Sequence, residues 1–499
     1  MNFVTSEFDL QIQEARSAVS NKRYPAALKL YAALCKSFTQ PAQWEEYGRA
    51  AAGSGDYDLA DRLWGRVLEG QPPNAGLLSR LAVAYGEIGL YAKARALCSQ
   101  AASLEPGNLE LQLSLASFLA RTGGVDEARA AVNATLALDP RNEPARYFSA
   151  HLDRRENKLT GAEQQLRDLL KTGPRDPQLT IYCHFELARI LDLTERYDEA
   201  MTQLAEAKRV AATTFDTAAS MQKYQDRRER TLRKAGSLPG NILETWAKAF
   251  PSEARTTTTR VAFLGGHPRS GTTLLERILD AHPSIAAGDE TLAFASISQL
   301  IDVTAPEIPV AGLNFLRQRY LKNMALACRI PGGDGILVDK NPAATSYLPA
   351  FLRAFPELRV VIALRDPRDV VVSSYFESLR NVSHFTFEGL AEHYQTIMDV
   401  WLKVRQWNGM AWLETRYEDT VADLQKEGAR VTNFLGLEWH ENQARFHESN
   451  PQKPVMSSNY SVVTQPVYKR AVGRWMVYEK YLAPILPALE PYCREFGYA

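Results

Sequence analysis

The chain has 499 residues, which is too long for one hydrophobic core and predicts several domains at about 100 to 200 residues each. Lysine and arginine together number 58, as do aspartate and glutamate, and this zero net charge argues against a protein that coats nucleic acid or an anionic membrane. With 45% hydrophobic and 23% charged residues, the composition excludes a disordered or low-complexity chain.

Neither the cysteines nor the apolar segments indicate secretion or membrane insertion. The cysteines are scattered, odd in number and never in a CxxC pair, so no disulfide framework or cysteine zinc site is predicted. The first residues lack a basic stretch followed by an apolar block, and the longest apolar runs fall far short of the ~20 residues that span a bilayer. We therefore expect a soluble, cytoplasmic protein without a membrane span.

An alanine recurs at nearly constant spacing through the N-terminal half. The series is Ala27, Ala60, Ala94, Ala128, Ala162 and Ala200, with steps of 33, 34, 34, 34 and 38 residues. A second series with the same period is Pro72, Pro106, Pro140 and Pro174. A small residue lets two helices cross closely, and proline cannot continue a helix because it lacks the backbone N–H. The two series predict stacked pairs of antiparallel helices that cover each other's apolar faces.

This pattern resembles the tetratricopeptide repeat. The resemblance implies an all-α right-handed superhelix of roughly five to six repeats with a concave face, over residues 10 to 208. The partner implied for such a face is a protein or peptide. Self-association is the alternative, so the sequence is also compatible with a homodimer. We assign residues 1–208 to this repeat array.

A charged segment separates the repeats from the rest of the chain. It contains the basic residues Arg227, Arg228, Arg230, Arg233 and Lys234. Asp226 and Glu229 dilute this charge, so the segment is predicted to be the solvated face of a capping helix rather than a nucleic-acid site. We assign residues 209–255 to a capping helix and linker, and residues 256–499 to a second domain.

Short apolar runs alternate with helical segments in the second domain, which predicts a parallel sheet flanked by helices. The run 261–264 leads into a glycine-rich loop and a helix beginning near Thr272. Inward-pointing N–H groups and the positive end of the helix would cradle a phosphate. The predicted loop contacts are Gly266, Pro268, Arg269, Ser270, Gly271, Thr272 and Thr273.

The loop differs from an ATP-binding Walker A loop at one position. Gly266 and Gly271 have the Walker spacing, but Thr272 stands where the lysine that reaches the terminal phosphates would be. The segment PRSGTT instead resembles the 5′-phosphosulfate loop of sulfotransferases, which use 3′-phosphoadenosine 5′-phosphosulfate (PAPS). This resemblance implies a P-loop-like α/β sulfotransferase domain. A kinase and a structural turn without a ligand are the alternatives for the loop alone.

A second strand-to-helix motif strengthens this resemblance. The run 360–364 is followed by Arg365, and Ser373 comes eight residues later in a predicted helix. In sulfotransferases an arginine and a serine with this spacing hold the 3′-phosphate, and the guanidinium fork suits a phosphate geometrically. A structural ion pair between Arg365 and Asp369 is the alternative.

Within the family, the chain most resembles the protein-tyrosine sulfotransferase branch, over about residues 258 to 497. The segment 263–291, which reads FLGGHPRSGTTLLERILDAHPSIAAGDET, implies that Glu290 is the catalytic base, with Asp289 as its rival. The later segments imply that Lys340 and Arg269 stabilise the transition state and that Tyr417 contacts the adenine. His384 is an outside alternative for the base, because small-molecule sulfotransferases often use a histidine.

The C-terminal segment departs from that branch at two positions. Gln465 occupies the place of a lysine, and Glu377 occupies the place of a second arginine after the serine. The branch has a serine-containing loop beside that lysine. The candidates for the lysine charge are Lys469, Arg470 and Arg474, and those for the serine hydroxyl are Ser457, Ser458 and Ser461. Of these, we include Arg474 among the predicted nucleotide contacts.

These motifs predict a PAPS-dependent sulfotransferase that acts on an acceptor hydroxyl, most simply a protein tyrosine selected by the repeats. Sulfuryl transfer resembles phosphoryl transfer in needing positioning and charge stabilisation. Fixed cations would supply that charge, and no metal-binding motif is present, so no metal is expected. A carbohydrate, lipid or small metabolite is the alternative acceptor. Outside the enzymes, the alternative is a scaffold with an inactive nucleotide-binding domain.

Overall fold

The structure is a computed structural model of the chain, and it places a helical array before an α/β domain. It describes residues 7–70, 72–121, 124–214, 216–377, 382–449 and 470–498. The α/β domain contains a five-stranded sheet. Helical repeats followed by a domain with a parallel sheet confirm the predicted fold class. The predicted C-terminal replacements up to Lys469, and Gln465 itself, lie outside the described residues.

Six pairs of helices form the described part of the array. Their bounds are α1 Glu7–Ser20, α2 Tyr24–Leu34, α3 Pro41–Gly53, α4 Tyr57–Glu69, α5 Ala75–Glu87, α6 Tyr91–Leu104, α7 Leu109–Arg121, α8 Val125–Leu138, α9 Glu143–Arg155, α10 Leu159–Thr172, α11 Pro177–Leu193 and α12 Tyr197–Thr214. Each alanine of the series lies in the second helix of a pair with 0% exposure. Each proline follows a second helix by two or three residues. The periodic residues therefore have the structural roles that the sequence predicted for them.

The remaining elements are two connecting helices and the α/β domain. The connecting helices are α13 Thr217–Ser237 and α14 Ile242–Ala249. The strands are β1 Arg260–Gly266, β2 Ile285–Asp289, β3 Ile336–Lys340, β4 Arg359–Leu364 and β5 Ala411–Arg416. The helices of the domain are α15 Thr272–Asp280, α16 Ala295–Ser298, α17 Val310–Ala327, α18 Leu348–Ala354, α19 Pro367–Tyr375, α20 Phe387–Val404, α21 Tyr417–Ala422, α22 Leu424–Phe434, α23 Phe446–Ser449, α24 Glu479–Leu482 and α25 Leu486–Glu495. Short 3₁₀ helices cover Cys35–Ser37, Ser252–Ala254, Pro342–Tyr347, Val382–Phe385, Glu441–Arg445 and Arg474–Tyr478.

The sheet has the order β2-β3-β1-β4-β5, and all neighbouring strands are parallel. Alternate residues of each strand face opposite sides, as strand geometry requires. On β1, Ala262 and Leu264 face a core formed with α15 and α22, whereas Val261 and Phe263 face a core formed with α17, α18 and α20. The second core continues into helices α9 to α12 of the array. The last repeats and the α/β domain therefore share one hydrophobic core.

Polar contacts join the end of the array to the α/β domain. Asp192 of α11 pairs with Arg474 (3.0 Å) and accepts a hydrogen bond from the hydroxyl of Tyr478 (2.6 Å). Lys208 of α12 donates to the backbone oxygen of His384 (2.6 Å). These charged and polar groups fix the last helix pair against the domain, in addition to the shared core.

The array also contacts the domain near its beginning. The turn between α3 and α4 presents the backbone oxygen of Gly55, which accepts a hydrogen bond from Asn323 of α17 (2.9 Å). The same Asn323 side chain donates to Ser296 of α16 (2.9 Å). The array therefore meets the domain at two places that are far apart in the sequence.

The basic segment lies on α13, which packs against α20. Arg228 donates to the hydroxyl of Thr396 (3.1 Å), and Gln225 donates to Glu392 (2.9 Å). The other four basic residues of the segment, Arg227, Arg230, Arg233 and Lys234, are exposed. The exposed charges agree with the interpretation of this helix as a capping element with a solvated face.

Candidate functional site

The predicted site residues lie where the strands end. The loop 267–271 follows β1, Glu290 follows β2, Lys340 ends β3, Arg365 follows β4 and Tyr417 follows β5. Because all five strands are parallel, these positions share one edge of the sheet. Ligands of open α/β sheets bind at this carboxyl edge.

Two glycines shape the loop between β1 and α15. Gly266 and Gly271 both have left-handed backbones, with φ of 123° and 85°. A Cβ at Gly266 would lie 2.2 Å from the backbone oxygen of Ala363, and a Cβ at Gly271 would lie 2.5 Å from the ring of Tyr417. Within the described ranges no side chain caps the first turn of α15, so its N–H groups can serve an anion held by the loop.

Gly271→Ala is expected to lower the free energy of unfolding by about 1–3 kcal/mol, because the new methyl group meets the Tyr417 ring in a strained backbone conformation. The measurement is urea denaturation. The matched control is Gly161→Ala in α10, where a Cβ has open space within 4 Å and alanine is the better helix former. Equal stability of Gly271→Ala and the wild type would show that the contact does not constrain the loop.

A buried lysine lies between two carboxylates at the ends of β2 and β3. The side chain of Lys340 is 0% exposed; its Nζ forms an ion pair with Asp289 and lies 2.9 Å from Oε1 of Glu290. The hydroxyl of Thr273 in α15 is 3.4 Å from the same Nζ. Burial alone would lower the pKa of Lys340, but Asp289 and Glu290 together raise it above its ordinary value. The lysine is therefore a fixed positive charge.

Glu290 is the accessible carboxylate of this cluster. Its side chain is 36% exposed, whereas that of Asp289 is 4% exposed. Glu290 has a left-handed φ of 48°, and its N–H donates to the backbone oxygen of Lys340 (2.7 Å). Strain of this kind in a residue other than glycine is concentrated at functional sites. The geometry therefore gives Glu290 access to a hydroxyl that approaches from outside.

A second cluster joins the loop to the strand-end arginine. Nε of Arg269 donates to the hydroxyl of Ser373 (3.0 Å). Arg365 donates to the backbone oxygen of Arg269 (3.2 Å), and its guanidinium lies 5.1 Å from the centre of the Tyr417 ring. The structure thus brings together both arginine motifs and the predicted adenine contact.

The guanidinium of Arg365 has an unsatisfied donor. Arg365 is 6% exposed, and among the residues that the structure describes none forms a hydrogen bond with its buried Nε. Its ion pair with Asp369 is long (3.7 Å), since that carboxylate accepts hydrogen bonds from the N–H groups of Gly473 (2.8 Å) and Trp475 (2.7 Å). A buried unpaired donor is costly, and a phosphate oxygen would satisfy it. The residues present therefore fit an anionic nucleotide such as PAPS.

Comparison with known proteins agrees with this geometry. Residues 262–441 match the model of the sulfotransferase family. Models of the tetratricopeptide repeat match residues 12–76, 46–108 and 89–137. The chain joins tetratricopeptide repeats to a sulfotransferase-family domain. The matched part of the sulfotransferase domain contains all of the strand-end residues described above.

Three related proteins illustrate this similarity. An uncharacterized protein from Aquifex aeolicus is 24% identical over 406 residues, covering 77% of this chain and 51% of that protein. Protein-tyrosine sulfotransferase A from Caenorhabditis elegans is 25% identical over 258 residues, covering 47% of this chain and 66% of that protein. Protein-tyrosine sulfotransferase 1 from Homo sapiens is 34% identical over 122 residues, covering 22% of this chain and 32% of that protein. The chain thus spans about half the length of the Aquifex relative.

Arg474 differs from the other predicted nucleotide contacts. Its guanidinium pairs with Asp192 of the repeat array (3.0 Å) and lies 4.3 Å from the centre of the Phe376 ring. The structure therefore gives Arg474 a docking contact between the repeats and the sulfotransferase domain. The sequence did not reveal this contact, because the two charged residues are 282 positions apart.

A cluster of three histidines, of which His267 is buried and His384 and His393 are half-buried, adjoins the loop, and His267 was missed by the sequence reasoning. Nδ1 of His267 donates to the backbone oxygen of Pro268 (2.6 Å), and its Nε2 lies 3.0 Å from Nδ1 of His393. Burial lowers the pKa of His384 to about 4 and that of His393 to about 3. Histidines with such low pKa values are weak bases, so the structure does not favour His384 as the base. The hydrogen bond from His267 instead fixes the start of the loop.

Proposed function

We propose that the chain is a PAPS-dependent sulfotransferase that transfers a sulfuryl group to an acceptor hydroxyl, and that the acceptor is a protein tyrosine. The observation that carries this proposal is the meeting of Glu290, the buried charge of Lys340 and the two arginines Arg269 and Arg365 at one sheet edge. The similarity to two protein-tyrosine sulfotransferases supports the choice of acceptor.

In this proposal the loop and the strand-end residues hold the nucleotide. The N–H groups at the start of α15 and the guanidinium of Arg269 bind the 5′-phosphosulfate. Arg365 and Ser373 bind the 3′-phosphate, and the Tyr417 ring lies beside the adenine. PAPS bound by these residues would supply an activated sulfuryl group, and cleavage of its bridging S–O bond would release adenosine 3′,5′-bisphosphate.

The chain's own residues then handle the proton and the charge. Glu290 takes the proton of the acceptor hydroxyl while the hydroxyl oxygen forms the new bond to sulfur. Lys340 and Arg269 offset the negative charge that develops on the sulfuryl and leaving-group oxygens. Because the Lys340 side chain is fully buried, its charge is poorly screened by water and acts strongly.

Two contacts between the repeat array and the sulfotransferase domain support a role for the array in selecting the acceptor. One contact with the sulfotransferase domain, through Gly55 and Asn323, reaches Ser296 in the segment that follows Glu290. Another reaches the segment that follows Ser373, where Arg189 of α11 donates to the backbone oxygen of Phe376 (3.2 Å). The array therefore contacts the segments that follow Glu290 and Ser373 in the chain, and we propose that it binds the acceptor protein or a partner that delivers it.

We propose a cytoplasmic location for this enzyme. Each of the five cysteines is a free thiol. None of the helices in the described ranges combines the length and the apolar character that crossing a bilayer requires. The location is tested by fractionating cells that express the full protein and locating it by immunoblot. Recovery of the protein in a membrane or exported fraction would contradict the proposal.

The nucleotide site is tested by calorimetric titration of adenosine 3′,5′-bisphosphate without magnesium. We expect micromolar binding to the wild type, with weaker binding of ATP. Arg365→Ala should bind about 10- to 100-fold more weakly, since a hydrogen bond to a charged group contributes about 1.5–3 kcal/mol. Arg494→Ala is the matched control, because that arginine pairs with Glu490 on the surface.

Two results would contradict the proposal. Preferred binding of ATP with magnesium would indicate a different nucleotide chemistry, and no nucleotide binding would indicate a scaffold. The acceptor is tested separately with labelled PAPS and tyrosine-containing peptides. Bisphosphate binding without labelling of any tyrosine peptide would contradict the tyrosine acceptor and redirect the search to carbohydrate, lipid and small-metabolite hydroxyls.

A further inference from the structure

A single carboxylate oxygen is shared between the phosphate loop and the repeat array. Oε1 of Glu377 lies 3.5 Å from a guanidinium nitrogen of Arg269 and 3.8 Å from one of Arg189. Arg269 belongs to the loop that is proposed to bind the phosphosulfate. Arg189 belongs to α11 of the array. Glu377 therefore lies between the proposed phosphate-binding cation Arg269 and the repeat arginine Arg189.

Two further contacts hold Arg189 in this position, one within the array and one with the sulfotransferase domain. It pairs with Glu186 (3.2 Å), whose side chain is 0% exposed, and it donates to the backbone oxygen of Phe376 (3.2 Å). Burial would lower the pKa of Arg189, but Glu377 and then Glu186 raise it above its ordinary value. The guanidinium is thus a fixed positive charge with a defined orientation, not a mobile surface group.

We propose that Glu377 competes with the nucleotide for Arg269, and that Arg189 of the repeat array weakens this competition. The proposal rests on the proposed function, in which Arg269 binds the phosphosulfate. A carboxylate beside Arg269 occupies its charge and repels an incoming phosphate. Arg189 pairs with the same oxygen, so it offsets the repulsion and draws the carboxylate toward the array. Arg189 acts through Glu377 and is a positioning residue.

This arrangement couples the repeat array to nucleotide binding. Any ligand of the array that displaces Arg189 from Glu377 would return the full negative charge to Arg269 and weaken nucleotide binding. By linkage, bound nucleotide would then weaken the binding of that ligand to the array by the same factor. The affinity of the site for nucleotide would thus depend on whether the last repeats are docked against the domain as observed.

The test is a double-mutant cycle read by calorimetric titration of adenosine 3′,5′-bisphosphate. Glu377→Gln should bind more tightly than the wild type, and Arg189→Gln should bind more weakly, each by roughly 5- to 30-fold. The double variant should bind like Glu377→Gln, because Arg189 then has no carboxylate beside Arg269 to neutralise. Arg196→Gln is the matched control, since this repeat arginine pairs with Glu163 and Glu199 at a distance from the shared oxygen.

The outcomes separate this inference from the proposed function. Absence of bisphosphate binding to the wild type would overturn both. Wild-type binding that none of the variants alters would overturn only the competition. Weaker binding of the bisphosphate by Glu377→Gln would also overturn the competition. So would an equal effect of Arg189→Gln in the wild type and in Glu377→Gln, because a structural role of Arg189 does not depend on the charge of Glu377. Circular dichroism and thermal unfolding verify that each variant is folded.

Discussion

Glu290→Gln is expected to lower the rate of sulfuryl transfer by about 10²- to 10⁴-fold, the usual contribution of a positioned general base. Glutamine has the same size and its amide oxygen can still accept a hydrogen bond from Lys340, but it cannot take the proton of the acceptor. Because Lys340 keeps its ion pair with Asp289, the fold should be little affected. The rate is measured with saturating labelled PAPS and a tyrosine-containing peptide.

The matched control is Asp289→Asn, which changes the neighbouring carboxylate in the same way. Asp289 is nearly buried and pairs with Lys340, so its loss should reduce stability more than it reduces the rate. Adenosine 3′,5′-bisphosphate should bind to Glu290→Gln as tightly as to the wild type. Full activity of Glu290→Gln, together with an inactive but folded Asp289→Asn, would assign the base to Asp289 instead.

The features that the sequence predicted well depend on residues close together in the chain. The alanine and proline series define the helix pairs, because each pair is built within one repeat length. The loop from Gly266 to Gly271 is another local feature, since its glycines are required by the positive φ of the turn itself. Helix α15 accordingly begins at Thr272, where the sequence placed it.

The strand β2 was not recognised as a strand from the sequence. Its residues 285–289, IAAGD, include a single β-branched side chain, whereas glycine, alanine and aspartate favour strands weakly. Pairing with β3 holds this segment in the sheet, with Asp289 in register with Lys340. This register brings Glu290 beside the lysine, a juxtaposition that the two motifs do not show separately.

The contacts between the repeats and the sulfotransferase domain were also beyond sequence reasoning. Helical periodicity identifies which face of a repeat is apolar, but it does not identify what covers that face at the end of an array. In the sequence Arg189 is an ordinary charged residue, and Arg474 was assigned to the nucleotide rather than to the repeats. Their roles become visible only when Glu377 and Asp192 are placed beside them by the fold.

Lys340→Met is expected both to abolish transfer and to destabilise the fold. Removing the fully buried cation takes the compensating charge of Lys340 away from the buried carboxylate of Asp289, which costs about 3–5 kcal/mol in the free energy of unfolding. Loss of a preorganised charge at the transition state lowers the rate by a further 10²- to 10³-fold or so. The measurements are urea denaturation and the initial rate of labelled transfer.

The double variant Lys340→Met/Asp289→Asn separates these two effects. It removes the uncompensated carboxylate along with the lysine, so stability should recover most of what the single variant loses. Transfer should remain strongly reduced, because Arg269 is then left without the charge of Lys340 to stabilise the reacting oxygens. Recovery of transfer along with stability would show that Lys340 serves only to neutralise Asp289. In that case Arg269, the cation of the loop after β1, would supply the charge stabilisation.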